Sequence, residues 1–153
     1  MHGLTGRLLE VDLGTGRCEV VPIDEDMWRA FIGGAGVAAR MFFDREDSGL
    51  DPLGPDNPLY VLTGPLAGSQ IPGTSRFVVC ARSPLTGIWG ESACGGNFAP
   101  VLKAAGYDGI VVRGAADRPV VLVIDDDRVT LEDADDVWGT DTYQTVDVLK
   151  ERF

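Results

Sequence analysis

Between Thr63 and Ile110, short apolar runs alternate with loops of glycine, proline and small hydroxyl residues. This punctuation restricts the chain to short elements joined by tight turns. One loop, TGPLAGSQIPGTSR, ends on Arg76, and a second, within GESACGGNFAP, carries the double glycine Gly95-Gly96. Glycine lets a backbone approach a ligand closely and aim its N–H groups at anionic oxygens. Arginine adds a planar fork that matches phosphate. Together the two loops read as part of a site for a large, phosphate-bearing cofactor. Glycine makes up 20 of 153 residues, about twice the usual ~7% share. Because the excess is confined to a few loops and has no period, neither a collagen-like nor a low-complexity chain fits.

The apolar pattern gives the remaining elements. GRLLEVDL and RCEVVPI flank GTG and read as a β-hairpin. Asp24 or Asp26 caps a helix carrying Met27, Trp28, Phe31 and Ile32 on one face, and Gly33-Gly34 ends it. Residues 36–46 read as a second amphipathic helix, and DPLGPDNP as a connector. LYVLTG and RFVVCARS are strands. NFAPVLKAAGYD is a helix with Pro100 in its first turn and Gly106 as its stop. GIVVRG is a strand, and PVVLVID with RVTLED forms another hairpin. A closing helix starts near Thr140 or Asp141. The strands lack the regular alternation of a doubly wound sheet, so the expected fold class is α+β, with mixed β-sheets and short helices. LLEVDLGTGRCEVVPIDEDMW and VVLVIDDDRVTLEDADDVW share the order strand, turn, strand, acidic stretch, tryptophan. This order is what an internal duplication of a hairpin–helix unit would leave.

Several function classes fall away. Net charge is −11, which argues against nucleic acid as a partner. Residues 125–153 hold ten Asp/Glu against Arg128, Lys150 and Arg152, so they carry −7 of that charge. They read either as a solvated face or as an edge for a basic partner. No apolar run approaches the ~20 residues of a membrane span, and the N-terminus lacks the pattern of a signal peptide, so a cytoplasmic location is expected. Cys18, Cys80 and Cys94 are scattered and contain no C-x-x-C, so no zinc or iron–sulfur ligand set is visible. His2, the sole histidine, reads as a terminal surface residue, which disfavours Ser–His and Cys–His catalysis. GGAGVA follows a helical segment, where a dinucleotide fingerprint needs a strand, so it reads as helix termination with close packing. Glu91 stands in the glycine-containing stretch beside Ser92 and Cys94, and is open to an active-site role or to a plain surface one. Arg82 falls an even number of positions after Arg76 and would share its face of the strand.

The chain resembles the N-terminal domain of the tungsten-containing aldehyde:ferredoxin oxidoreductase family. The resemblance rests on GLTGRLLEVDLGTG, FIGGAGVAARMFFD, DPLGPDNPLYVLTGPLAGS, PGTSRFVVCARSPLTG, GESACGGNFAPVLKAAGYDGIVVRG and DADDVWGTDTYQT, in order along nearly the whole length. It implies a domain over residues 1–153 that cradles a bis-pterin cofactor holding tungsten or molybdenum. It also implies oxidation of aldehydes to carboxylic acids, with electrons passed to ferredoxin. Arg76 matches a family arginine on the pterin-phosphate side. Gly95 matches a glycine whose backbone lies against the cofactor, and Gly96 adds a second N–H. A magnesium ion bridges the pterin phosphates in such enzymes. Its ligand is the carbonyl of a family asparagine, and Ala93 stands at that position here. Cys94 stands where serine is frequent. The resemblance places the 4Fe–4S cysteines and further pterin contacts beyond residue 153. The domain is therefore expected to be incomplete at its C-terminus, inactive alone, and partnered by further domains or a large subunit. Exposure of its cofactor side would favour self-association. A related aryl-CoA reductase subunit would use the same cradle, and a non-catalytic pterin-binding or assembly protein is the other reading.

Overall fold

Strand β1 (Arg7–Asp12) sends Leu8 to one side of the main sheet and Leu9 and Val11 to the other, and all three are buried. A strand that is apolar on both faces must be covered on both, and that requirement organises the domain. The computed structural model describes residues 3–45 and 49–153; His2 lies outside them. β1 pairs antiparallel with β2 (Arg17–Pro22) and parallel with β6 (Gly109–Arg113). β3 (Leu59–Thr63), β4 (Phe77–Arg82) and β5 (Trp89–Cys94) complete a six-stranded mixed sheet of order β2-β1-β6-β3-β4-β5. β7 (Val120–Asp125) and β8 (Arg128–Asp133) form a separate two-stranded sheet. The α+β class read from the sequence is the class found.

One face of the large sheet packs on α1 (Glu25–Phe31) and α2 (Gly34–Asp44), where Trp28, Val37, Ala38, Tyr60, Leu62, Cys80 and Val111 form one buried cluster. The other face packs on α3 (Phe98–Ala104) and the β7–β8 hairpin, around Leu9, Val11, Leu102, Tyr107 and Ile110. Asp24 caps α1 by accepting from the backbone N–H groups of Asp26 and Met27. The GGAGVA segment does what close packing demands. A Cβ on Gly33 would lie 2.7 Å from the Trp28 ring, and one on Gly36 would lie 2.3 Å from the Phe31 carbonyl oxygen. α3 carries Pro100 in its first turn and ends at Gly106, whose φ is +93°. There the Gly106 and Tyr107 amides close back onto the carbonyls of Lys103 and Leu102.

One expectation needs correction. Residues 89–94, read as part of a glycine loop, form β5, paired residue for residue with β4 through a turn in which the Ser83 amide donates to the Ile88 carbonyl and the Gly87 amide to the Ser83 carbonyl. Trp89 anchors the strand by an edge contact with Phe42, the ring centroids 5.3 Å apart. The remainder, GESAC, is polar because it is an edge strand facing solvent. In the repeated order, each hairpin is followed by a helix, and the two units differ at the tryptophan. Both hairpins form, but only Trp28 lies in a helix and is buried at 2% exposure. Trp138 sits in a turn closed by Gly139 (φ +82°) at 75% exposure, and α4 (Thr142–Arg152) starts only after the Asp141 cap.

The layers are tied at one sheet end by Asp108, which is fully buried. Its carboxylate accepts from the Thr5 amide, the Thr5 hydroxyl (2.8 Å) and the Gly6 amide (2.8 Å), and forms an ion pair with Lys103 of α3. The Asp108 carbonyl accepts from both the amide and the hydroxyl of buried Thr63, and its amide donates to the Arg7 carbonyl. Lys103 also donates to the Gly3 carbonyl and lies 5.3 Å from the Trp28 ring centroid. Removing one charge of a buried pair strands the other. Asp108→Asn is therefore expected to lower unfolding free energy by about 3–5 kcal/mol, measured by urea denaturation of the full chain.

Candidate functional site

The β4–β5 ladder decides which candidates meet. Its last pair is Phe77 with Cys94, so Arg76, just before β4, and Gly95, just after β5, leave the hairpin at the same end. A Cβ on Gly95 would have the Ser75 carbonyl oxygen, at 3.8 Å, as its nearest neighbour. The double glycine leads directly into α3, where Phe98 packs on Phe77 with ring centroids 4.6 Å apart. The loop is thus held from three sides: by β5, by the end of the Thr63–Arg76 loop, and by a helix pinned through Lys103. Residues 91–98 are all exposed, as is Arg76. Among the described residues the Arg76 guanidinium makes no ion pair or side-chain hydrogen bond, which leaves its donors directed to solvent.

The sequence-named residues separate as follows. Arg76, Ala93, Cys94, Gly95 and Gly96 lie in one place, Ala93 and Cys94 closing β5 and Gly95 and Gly96 following it. Arg82 stands at the far end of β4. Its Nε donates to the Gly87 carbonyl and its backbone amide to Asn57 Oδ1, so it braces the β4–β5 turn and not the glycine loop. Glu91 is on β5 opposite Cys80 and accepts from the Trp89 indole N–H, away from the double glycine. Among the described residues, no group of three or more His, Cys, Asp or Glu gathers at a metal-binding spacing. The Phe77–Phe98 pair and the Lys103–Asp108 anchor were missed by sequence reasoning. Two aromatic residues 21 positions apart and a lysine–aspartate pair give no local signal of burial.

Glycine has different reasons at different positions. A Cβ on Gly109 would lie 2.8 Å from the Val61 carbonyl oxygen, so the core forbids one. At Gly95 a Cβ would make only an ordinary contact, and at Gly96 only the backbone angle, φ +99°, requires glycine. Exposed backbone at an uncrowded glycine, beside an arginine with free donors, suits a flat anionic group laid against the edge. The residues present thus fit a phosphate-bearing cofactor. Gly95→Ala is expected to leave the melting temperature unchanged, whereas Gly109→Ala is expected to cost about 1–3 kcal/mol through overpacking. Thermal unfolding of the two variants decides between these outcomes.

The cysteines are equally distinct. Cys80 is buried in the α1–α2 cluster, and burial, reinforced by Glu91, pushes its thiol up to about 12. Burial also raises that of half-buried Cys18. Cys94 is exposed beside the double glycine. Thiolate is the reactive form. At pH 8 a thiol reagent is therefore expected to modify Cys94 in the folded chain and leave Cys80 untouched until denaturant is added, as peptide mass mapping would read.

Fold and edge together define an α+β domain that presents a glycine- and arginine-lined rim on one side of a mixed sheet. The sequence pattern of the family described as aldehyde ferredoxin oxidoreductase, N-terminal domain, matches residues 8–153. The tungsten-containing aldehyde ferredoxin oxidoreductase of Pyrococcus furiosus is 37% identical over 151 residues, covering 99% of this chain and 25% of that protein. The aliphatic sulfonate oxidoreductase, WOR-like subunit, of the same organism is 38% identical over 157 residues, covering 99% and 24%. Among solved structures, the active-site complex BamBC of benzoyl coenzyme A reductase with 1,5-dienoyl-CoA superposes with a TM-score of 0.96 at 36% identity, covering 99% of this chain and 23% of that one. The chain belongs to the aldehyde ferredoxin oxidoreductase family, as its N-terminal domain, and spans about a quarter of the length of the relatives it matches. No helix among the described residues is long and apolar enough to cross a membrane.

Proposed function

We propose that this domain is the base on which a tungsten or molybdenum bis-pterin lies in an oxidoreductase of this family. The observation that carries the reading is the junction of Arg76 with the open double glycine, set by the β4–β5 register. Arg76 would hold a pterin phosphate through charge-assisted hydrogen bonds, and the Gly95 and Gly96 amides would face the same anionic side. The Ala93 carbonyl would offer an oxygen ligand to a magnesium ion accompanying the phosphates. A backbone carbonyl can serve without an amide side chain. The metal cofactor supplies the two-electron oxidation of an aldehyde to a carboxylic acid, while this domain positions it and balances its charge. Electrons would leave for ferredoxin through a 4Fe–4S cluster carried outside this chain.

The surface beside the rim supports covering by further polypeptide. Leu66 and Ile71 on the Thr63–Arg76 loop, and Phe98 and Val101 on α3, are large apolar side chains left exposed. The loop and α3 adjoin, since a Cβ on Gly68 would stand 3.8 Å from the Lys103 Cβ. Contiguous exposed apolar surface of this kind marks an interface. A cradle for ring reduction of an aryl-CoA is the second reading, favoured by the close superposition on the benzoyl coenzyme A reductase complex.

The test is tungsten, molybdenum, magnesium and pterin content of the chain purified together with the polypeptides that accompany it. About one tungsten or molybdenum and two pterins per complex is expected. Arg76→Ala is expected to weaken cofactor retention about tenfold or more, the loss of a hydrogen bond to a charged group. Its unfolding free energy should move by less than about 0.5 kcal/mol, as for exposed substitutions. Full metal and pterin content in the Arg76→Ala complex would refute the anchoring role.

A further inference from the structure

At the sheet end opposite the Asp108 anchor, just past β1 and β6, a cleft of about 350 Å³ opens beside the β7–β8 hairpin. Leu13, Pro119, Val120 and Trp138 line it, with Asp117 and Arg118 among them. Trp138 is 75% exposed, yet the turn that carries it is tightly held. The Val137 and Trp138 amides both donate to the carbonyl of buried Ala134, whose own amide donates to the Pro119 carbonyl. The Thr140 amide and hydroxyl close onto the Val137 carbonyl. A fixed backbone thus holds the largest of side chains out in solvent at the mouth of an apolar cleft. Exposed apolar surface of this kind marks an interaction site, and tryptophan is the residue type most enriched at the energetic centre of interfaces.

The charges select the occupant. The segments that build the cleft, residues 115–120 and 133–139, contain Asp117, Asp133, Asp135 and Asp136 and a single basic residue, Arg118. Arg118 is paired with Asp133 at 3.1 Å, and Arg152 of α4 with Asp136 at 3.3 Å. Asp117 and Asp135 are exposed and have no ion pair among the described residues. Lys150 lies two positions from Arg152, about 200° around α4 and so on its other face. Residues 1, 2 and 46–48 contain no lysine or arginine that could offset the acidic excess. A second copy of this chain, itself at −11, would bring the same sign, as would nucleic acid or an anionic membrane. We propose that this cleft docks a basic segment of a partner polypeptide. An aliphatic side chain of the segment lies against Leu13, Pro119 and Val120. A neighbouring arginine or lysine stacks on the Trp138 ring, the side chain best suited to hold a cation on its face, with its charge met by Asp117 and Asp135. The site shares no residue with the Arg76–Gly96 rim and stands or falls independently of the cofactor reading.

The experiment is a titration of the full chain with a short acetylated and amidated peptide of alternating leucine and arginine, followed by NMR of isotope-labelled indole groups and by calorimetry. The Trp138 signal is assigned by its loss in Trp138→Phe, and the buried Trp28 and half-buried Trp89 signals report that the fold is kept. A saturable shift of the Trp138 signal alone is expected, and none with a leucine–glutamate peptide. Trp138→Ala is expected to keep the melting temperature, as for exposed substitutions, and to weaken peptide binding about tenfold or more. Asp117→Asn combined with Asp135→Asn should weaken it several-fold and flatten its dependence on salt. Absence of a saturable Trp138 shift, or equal binding by Trp138→Ala, would overturn the proposal. So would equal affinity for an arginine–glycine peptide or for spermine, since acidic charge alone would then account for the binding.

Discussion

The buried Lys103–Asp108 pair is the constraint on which the rest of the domain depends. Two charges with side chains 9% and 0% exposed are costly to desolvate, and the cost is offset only where every remaining hydrogen-bonding position is filled. Here the filling is done by different parts of the chain: the Thr5 amide and hydroxyl and the Gly6 amide before β1, and the Gly3 carbonyl beyond them. Through its own backbone Asp108 also joins β1 at Arg7 and β3 at Thr63. One residue therefore fixes how α3, the N-terminal segment and two central strands meet.

That fixation reaches the rim through α3. The helix is only seven residues long, too short to be stable by itself, and so it is positioned by what holds its two ends. Lys103 and the Gly106 turn secure its C-terminal end, and the Phe98 ring on Phe77 secures the other. The Gly95–Gly96 loop, between β5 and this helix, inherits its position from both. Rigid support on either side of an open, exposed backbone is what a preorganised binding surface needs.

Where local chemistry dictates local structure, the sequence was readable. Asp24 and Asp141 cap their helices, Gly106 ends α3, and the alternation of RLLEVD and VVLVID makes strands. Where an element exists only because a neighbour holds it, the sequence was silent. GESAC carries a glycine and polar side chains, and becomes a strand because β4 supplies a complete ladder and Trp89 finds Phe42. The same edge explains what happened to the candidate site. Arg76 and Gly95 could be named as residues of a suitable type, but their adjacency follows from a hairpin register that ran through the misread segment. Arg82 and Glu91, equally suitable by type, belong to other parts of the same hairpin. Tyr60 was legible only as a core residue of LYVLTG, since nothing in that pattern tells that its ring would be buried while its hydroxyl found no partner among the described residues.

The glycines show how scaffold and site can be told apart without reference to any relative. Gly33, Gly36 and Gly109 stand where a side chain would collide with a ring or a carbonyl of the same chain, so their identity is explained by the fold that contains them. Gly95 is not so explained: a Cβ there would meet only the Ser75 carbonyl oxygen, at an ordinary 3.8 Å, and its backbone angle is not one reserved to glycine. Glycine in a strand-end position forfeits packing and adds conformational freedom to the unfolded chain, a cost without return inside this domain. The proposed cofactor, laid against that backbone from outside, would supply the return. The neighbouring Arg76, with its donors unused within the described chain, would suit a negative charge on it.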